Sequence, residues 1–220
     1  MDAYRISSYN LSEKYREGQR NFERMDLREL NLSGLQLEGA RFCWADLTSA
    51  FLTRSKLDES DFTGAMMWRA GLSGASLRWV NLHRAVMVRA EMPGANLSGA
   101  NLERCDLRLV NLRSACLAGA NLRGAKLCYS DLRGANLTGA DLTGADLTGA
   151  KLRGACLKAV CWRAALLQAD QLDGLVDAHV EDSQGDHPQV RSPISTTAEA
   201  SEVDSDTATN SDPQRSLTAV

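Results

Sequence analysis

From Phe22 to Leu172 a large apolar residue stands at every fifth position, 31 times without interruption. Twenty-four of these are leucine, and the others are Phe22, Phe42, Phe62, Met67, Met87, Met92 and Trp162. A period of five matches neither the 3.6-residue turn of a helix nor the two-residue alternation of a strand. It predicts a solenoid, in which each short unit adds one side chain to a continuous core.

The remaining positions say how the unit folds. Two residues before each large side chain the chain is small: from Ala40 to Ala165 this register holds 19 Ala, three Ser, three Val and Cys105. Small and large residues two apart share one face of an extended segment, so both point inward. The residue between them is mostly polar, often Asn or Asp, and points outward. The last two residues of the unit must turn the chain. Fourteen of the 17 glycines fall on the second of them, where a type II turn requires a positive φ. Pro93-Gly94 occupies the same two turn positions, with proline pre-setting the first angle. Where that register holds Trp44, Arg54, Trp79 or Leu109, a different turn type is expected. All four aromatic centres, Phe22, Phe42, Phe62 and Trp162, share one 20-residue register, so four units are expected per coil. The tube is then square, with roughly 7–8 coils over about 35–40 Å at the ~4.8 Å strand spacing.

The pattern Ala-Asp/Asn-Leu-x-x, as in Ala140-Asp141-Leu142-Thr143-Gly144 and Ala145-Asp146-Leu147-Thr148-Gly149, resembles the pentapeptide-repeat family, and the run Gly18-Gln19-Arg20-Asn21-Phe22 resembles the openings of its bacterial, especially cyanobacterial, members. The resemblance implies an all-β fold, a right-handed quadrilateral β-helix, and no single activity. It divides the chain into an N-terminal cap (1–20), the repeat solenoid (21–174), and a short C-terminal cap with a tail (175–220). Residues 10–18 read as a capping helix, with Asn10 as N-cap, Glu13 at the reciprocal position, Leu11 and Tyr15 on one face, and Gly18 as the stop. Leu172, Leu175, Val176 and Val180 have helical spacing at the other end. Residues 177–220 carry nine Asp/Glu against two Arg and are rich in Ser and Thr, a composition that predicts a disordered tail. The start Met1-Asp2-Ala3-Tyr4 does not read as a signal peptide, and no apolar run is long enough to span a membrane. Six cysteines without CxxC spacing read as reduced structural thiols. Together these predict a cytoplasmic protein.

The sequence offers little for catalysis. Gly144 to Lys151 has two glycines at phosphate-loop spacing, but Ala150 separates the second glycine from the lysine. His83 and Glu103 read as a surface pair, and the outward Asp residues read as a structural ladder. No catalytic residue, cofactor or metal ligand is assigned, and the chain is read as a non-enzyme. Function must then reside on the outer walls. Met66, Trp68, Val86 and Val88 fall on adjacent coils of one wall, flanked by Arg69 and Arg89, and form a candidate contact surface for a protein partner or a homodimer. Arg113, Arg133 and Arg153 form a second column, suited to an acidic partner, nucleic acid or the chain's own tail. A pI near 5.7 and the absence of interleaved aromatics argue against nucleic acid. The expected role is a non-catalytic interaction scaffold or regulator. The alternative, from the quinolone-resistance branch of the family, is a DNA mimic that protects gyrase.

Overall fold

The computed structural model describes residues 6–168, 171 and 189–191. Between residues 21 and 166 the chain winds as a parallel β-helix. Every outward residue of one coil is bridged, in parallel, to the residue 20 positions later, without interruption from Asn21↔Arg41 to Asp146↔Leu166. Each coil therefore holds four five-residue units and four corners, as the shared register of the aromatic centres requires.

The backbone explains why a unit of five is stable. The central residue and the second corner residue donate to carbonyls 19 positions ahead, as in Phe22→Arg41 and Arg24→Cys43. The outward residue donates to a carbonyl 21 positions behind, as in Arg41→Arg20. The small inward residue closes the corner, as in Ala40 N–H to Leu37 C=O. The first corner residue is satisfied by a side chain wherever Asn or Asp stands two residues earlier: Asn31 Oδ1 accepts from Ser33 N–H, and Asp141 Oδ1 from Thr143 N–H. That is the chemical reason for Asn and Asp in the outward register. An Asx side chain bonds its own backbone two residues on and so holds the turn.

The inward columns are buried and form one continuous apolar cluster. Phe22, Phe42 and Phe62 are fully buried and stack with ring centroids 5.4 and 4.9 Å apart at 18°, within the range of offset aromatic pairs. Three hydroxyls and a thiol interrupt the small inward register. Ser55 donates to Leu52 C=O, Ser60 to Leu37 C=O, and the Cys105 thiol to Leu82 C=O. Ser130 is fully buried, and its hydroxyl has no partner among the described residues.

The corners at Trp44, Arg54, Trp79 and Leu109 share two features with the glycine corners. They keep a positive φ of 60°, 55°, 52° and 60°, and the following residue still closes the corner by bonding back three residues. All corners from Arg24 to Ala164 share this sign of φ, glycine or not. The axial bonds made by the second corner residue hold it there. Three aromatic corners gain something in return. A Cβ on Gly64 would overlap the Trp44 ring, one on Gly99 would lie 2.6 Å from Trp79 Cδ1, and one on Gly149 would lie 2.5 Å from Tyr129 Cδ1. Each aromatic lies against the bare backbone of a glycine one coil on.

At the N-terminal end, α1 spans Ser8–Arg16. Its N-cap is Ser7, whose hydroxyl accepts from Asn10 N–H at 3.1 Å. The expected cap, Asn10, instead sits inside the first turn, because Ser7 satisfies that donor one turn earlier. The stop is at Gly18, as expected. Its φ is +96°, Gly18 N–H bonds Tyr15 C=O, and Gln19 N–H bonds Lys14 C=O, the paired bonds of a Schellman ending. Leu11 is fully buried in the solenoid core, and the Tyr15 hydroxyl donates to Glu38 C=O at 2.8 Å.

At the other end, β1 (Leu166–Gln168) pairs in parallel with β2 (Gln189–Arg191) in the register Leu166↔Gln189 and Gln168↔Arg191. Residues 189–191 were expected to lie in a disordered tail. They instead supply the next rung of the sheet, with Gln189 N–H donating to Ala165 C=O, because an open parallel edge is a template for a further strand. The Gln171 side chain bonds Gln168 N–H and the carbonyls of Leu147 and Ala150. The helical spacing at Leu172, Leu175, Val176 and Val180, and the rest of the tail, lie outside the described residues.

Two predictions follow from the core and the corners. Ser130→Ala removes a buried hydroxyl that has no partner among the described residues and is expected to stabilise the fold by about 1–3 kcal/mol in urea denaturation, whereas Ser60→Ala, which removes one of the two hydrogen bonds that Leu37 C=O accepts, is expected to destabilise it. Gly64→Ala is expected to cost more than Gly94→Ala. Both add ~1–2 kcal/mol of left-handed strain, but nothing stands within 4 Å of a Cβ on Gly94, and only Gly64→Ala displaces Trp44. In a Trp44→Ala background the difference between them should vanish; its persistence would refute the packing assignment.

Candidate interaction surface

The wall whose inward column contains Met67 and Met87 carries the candidate apolar site. Met66 and Val86 are bridged neighbours, and Trp68 and Val88 stand beside them on the same two rungs. Met66 and Trp68 are 46% and 49% exposed. Val86 is half-buried, and Val88 is only 8% exposed. Val88 therefore belongs to the floor of the patch rather than to its solvent face, between Trp68 and Arg108 in its column. One coil on, Leu109 is 46% exposed in the corner column that contains Arg69 and Arg89. The sequence reading missed Leu109 because it was placed with the unusual corners. The 20-residue step from Arg89 to Leu109 was the signal.

Three of the exposed aromatic groups elsewhere have structural duties. Trp44, Trp79 and Tyr129 cover glycines, as described above. Phe51 is 54% exposed but stands alone on the neighbouring wall, with Gly71 and Asn31 as its bridged partners.

The charges sort by local sequence. In Asp26-Leu27-Arg28, Asp106-Leu107-Arg108 and Asp131-Leu132-Arg133, the guanidinium folds back on the carboxylate two residues earlier through both Nε and Nη2. The first corner residue and the outward residue project from the same side of the wall, and a two-residue separation suits this bidentate grip. The Arg133 guanidinium, assisted by its backbone N–H, holds the Asp131 carboxyl below the usual carboxylate range against the opposing effect of partial burial. For Asp106, partial burial is the largest single influence and raises the pKa, but the hydrogen bonds from Arg108 outweigh it and the net shift is downward.

This sorting changes the arginine column. Arg113, Arg133 and Arg153 do stack on successive coils, but Arg133 is committed to Asp131. Arg113 follows Asn111 and Arg153 follows Lys151, so neither has a built-in carboxylate, and both are exposed. The column therefore presents two cations separated by an ion pair. Around the apolar patch the balance is different. Arg69, Arg84 and Arg89 are exposed and make no ion pair among the described residues, and Arg104 reaches Glu103 only at 3.8 Å. Arg84 and Arg104 line one corner of the wall and Arg69 and Arg89 the other. The site is a hydrophobic centre with a cationic rim on both sides.

The groups that might have suggested chemistry are occupied by the fold. Gly144 and Gly149 are corner residues with φ of 66° and 68°. Asn81, beside His83, accepts its backbone N–H and begins a ladder in which Asn101 and Asn121 each bond the preceding asparagine. All six cysteines are free thiols. Burial pushes the Cys105 thiol up to about 12 and, with Asp146 nearby, the Cys128 thiol to about 11. Among the described residues no group of three or more His, Cys, Asp or Glu is placed to hold a metal ion, and no helix is long and apolar enough to cross a membrane.

A family model for pentapeptide repeats matches eight copies, over residues 26–64, 36–74, 70–108, 90–127, 105–144 and 115–154. No curated protein matches the chain. Among solved structures it is similar to HetL, a pentapeptide repeat protein involved in heterocyst differentiation regulation in the cyanobacterium Nostoc sp. strain PCC 7120, at 31% identity over 74% of this chain and 78% of that one, with a TM-score of 0.40. It is also similar to QnrB1, a plasmid-mediated fluoroquinolone resistance protein, at 18% identity over 87% and 86% of the two chains, with a TM-score of 0.40. Rfr23 from the cyanobacterium Cyanothece 51142 matches at 26% identity over 70% and 92%, with a TM-score of 0.25. With repeat matches spanning residues 26 to 154, and a five-residue unit that bridges to its equivalent 20 residues on, the chain belongs to the pentapeptide repeat family.

Proposed function

We propose that this protein is a non-catalytic interaction scaffold or regulator, working in the cytoplasm through the outer wall of a right-handed quadrilateral β-helix. The proposed division is an N-terminal segment (1–20) that caps the first coil through Leu11 and Tyr15, a repeat domain (21–174), and a C-terminal segment (175–220) from which Gln189–Arg191 joins the sheet. The observation that carries this reading is the patch of Met66, Trp68, Val86 and Val88 between two arginine corners. Contiguous exposed apolar groups with a polar rim mark contact surfaces, and tryptophan and arginine are the residues that dominate them. The contacting species is a protein, whether a second copy or a different chain.

The gyrase-protecting alternative requires a rod dense in negative charge, because it imitates nucleic-acid phosphates. Residues 6–168 hold 22 Lys/Arg against 16 Asp/Glu, a net of +6, which weighs against mimicry by the solenoid wall. Supercoiling by gyrase in the presence of a quinolone and this protein separates the two readings. The scaffold reading expects no rescue.

The patch itself is tested with Met66→Glu/Trp68→Glu, which changes the two exposed residues and leaves the buried Val88 in place. Urea denaturation should stay close to wild type. Recovery of partners from the native host, or self-association in sedimentation velocity, should weaken by about 30-fold or more, the ~2 kcal/mol of a hot-spot residue. Unchanged assembly and unchanged partner recovery would refute the assignment.

A further inference from the structure

We propose that the arginine-rimmed patch is covered by the chain's own acidic segment, residues 192–220, which binds it as an internal competitor for an external partner. This rests on the reading of that wall as a docking surface, and it names what occupies the surface when no partner is bound.

The argument begins with where the chain leaves the sheet. Strand β2 is not placed at random on the last coil. It pairs with Leu166–Gln168, which lies on the same wall as Met66, Trp68, Val86 and Val88, 80 to 100 residues further along the 20-residue step. Gln168 stands in the column of Trp68, Val88 and Arg108, and its bridged partner is Arg191. The chain therefore departs from Arg191 at the side of the wall whose corner column carries Arg69 and Arg89.

The second element is reach. From the β2 rung to the rung of Val86 and Val88 there are five steps of ~4.8 Å, or about 24 Å. An extended chain covers ~3.3 Å per residue, so about eight residues span the gap. The eighth residue after Arg191 is Glu199, and the densest acidic run, Glu202-Val203-Asp204-Ser205-Asp206, follows directly. That run meets the patch with a few residues of slack.

The third element is chemical fit. Residues 192–220 carry five carboxylates and one arginine. The rim offers Arg69, Arg84 and Arg89, which have no carboxylate partner among the described residues. Val203 lies between Glu202 and Asp204, an apolar side chain in an acidic setting, and the patch is an apolar centre in a basic one. Along the route Asp106 is bonded to Arg108, and Lys126 is exposed. The Arg113 and Arg153 column stands at the far edge of the next wall, which begins at the same corner, and its middle member Arg133 is already paired with Asp131. Tethering raises the local concentration of the segment into the millimolar range, so weak individual contacts suffice to hold it.

The test uses the full chain, labelled with ¹⁵N, and follows the amide resonances of residues 199–206. At low salt these should be shifted in the wild type relative to Arg69→Glu/Arg89→Glu, and relative to a form with Trp68→Glu. Addition of ~0.5 M NaCl, which shortens the screening length to a few ångströms, should move the wild-type resonances onto those of the arginine variant. Glu202→Gln/Asp204→Asn/Asp206→Asn should in parallel release the Trp68 indole N–H resonance to its high-salt position. Identical tail resonances in the wild type and Arg69→Glu/Arg89→Glu would overturn the proposal. The two readings fail separately. If Met66→Glu/Trp68→Glu abolishes self-association or partner recovery while the tail resonances never depended on the arginines, the wall is a docking surface and only the internal occupant is wrong. If the tail shifts are lost on arginine reversal but assembly and partner recovery are indifferent to Met66 and Trp68, the tail docks and the interaction role of the wall is wrong.

Discussion

A corner with a left-handed residue, repeated every five positions, is the constraint on which the rest of this molecule depends. Such a corner turns the chain without a loop, so four of them close a coil of 20 residues and place each unit over its equivalent. Once the coils are in register, the backbone donors have assigned places: three of every five point along the axis, one closes the turn, and one is left for an Asx side chain. Left-handed φ costs an ordinary residue ~1–2 kcal/mol, and here arginine, tryptophan, serine and leucine all adopt it. They do so because the second corner residue is also an axial donor. Relaxing its φ would break a bond to the next coil and leave a polar group without a partner.

That dependence explains which features were legible in the sequence. The five-residue period, the small inward register and the column of Phe22, Phe42 and Phe62 are consequences of a closed prism, and each can be counted. Gly18 was legible as a stop because only a residue tolerant of positive φ ends a helix in that way. The positive φ at Trp44 and Leu109 was not legible, because local propensity does not include the axial bond that overrides it. Ser7 was missed as the N-cap because Asn10 is equally competent, and the choice depends on where Leu11 must lie to reach the core. The aromatic rings over Gly64, Gly99 and Gly149 were available in principle: each ring residue stands 20 positions before its glycine. The strand at Gln189–Arg191 was not available. Composition reports that a segment cannot build its own core, but not that a neighbouring sheet edge will accept it.

The candidate surface was half legible for a related reason. Placing outward residues in 20-residue columns brought Met66, Trp68, Val86 and Val88 together, and the structure keeps them together. It also separates their depths: Val88 is nearly buried while Met66 and Trp68 are half exposed. Column arithmetic gives neighbours but not side-chain reach, and reach decides whether a residue forms the floor or the face of a patch.

Charge follows the same logic, with a local rule that the structure makes visible. An arginine two residues after an aspartate is neutralised within its own unit, as Arg28, Arg108 and Arg133 are. An arginine on the second corner points away from that carboxylate and keeps its charge for something else. Arg69, Arg84 and Arg89 are of this kind, and they are the ones that surround the apolar patch. Repeat architecture thus divides identical side chains into two classes by position alone, one that balances the wall and one that makes it selective. A stack of like charges along a sheet is costly only if the charges are unpaired, so the Arg113–Arg133–Arg153 column is tolerable because its middle member is already paired. Among the described residues Arg69 and Arg89 have no such neighbour, and the cost of holding them together is relieved when something acidic is laid across them.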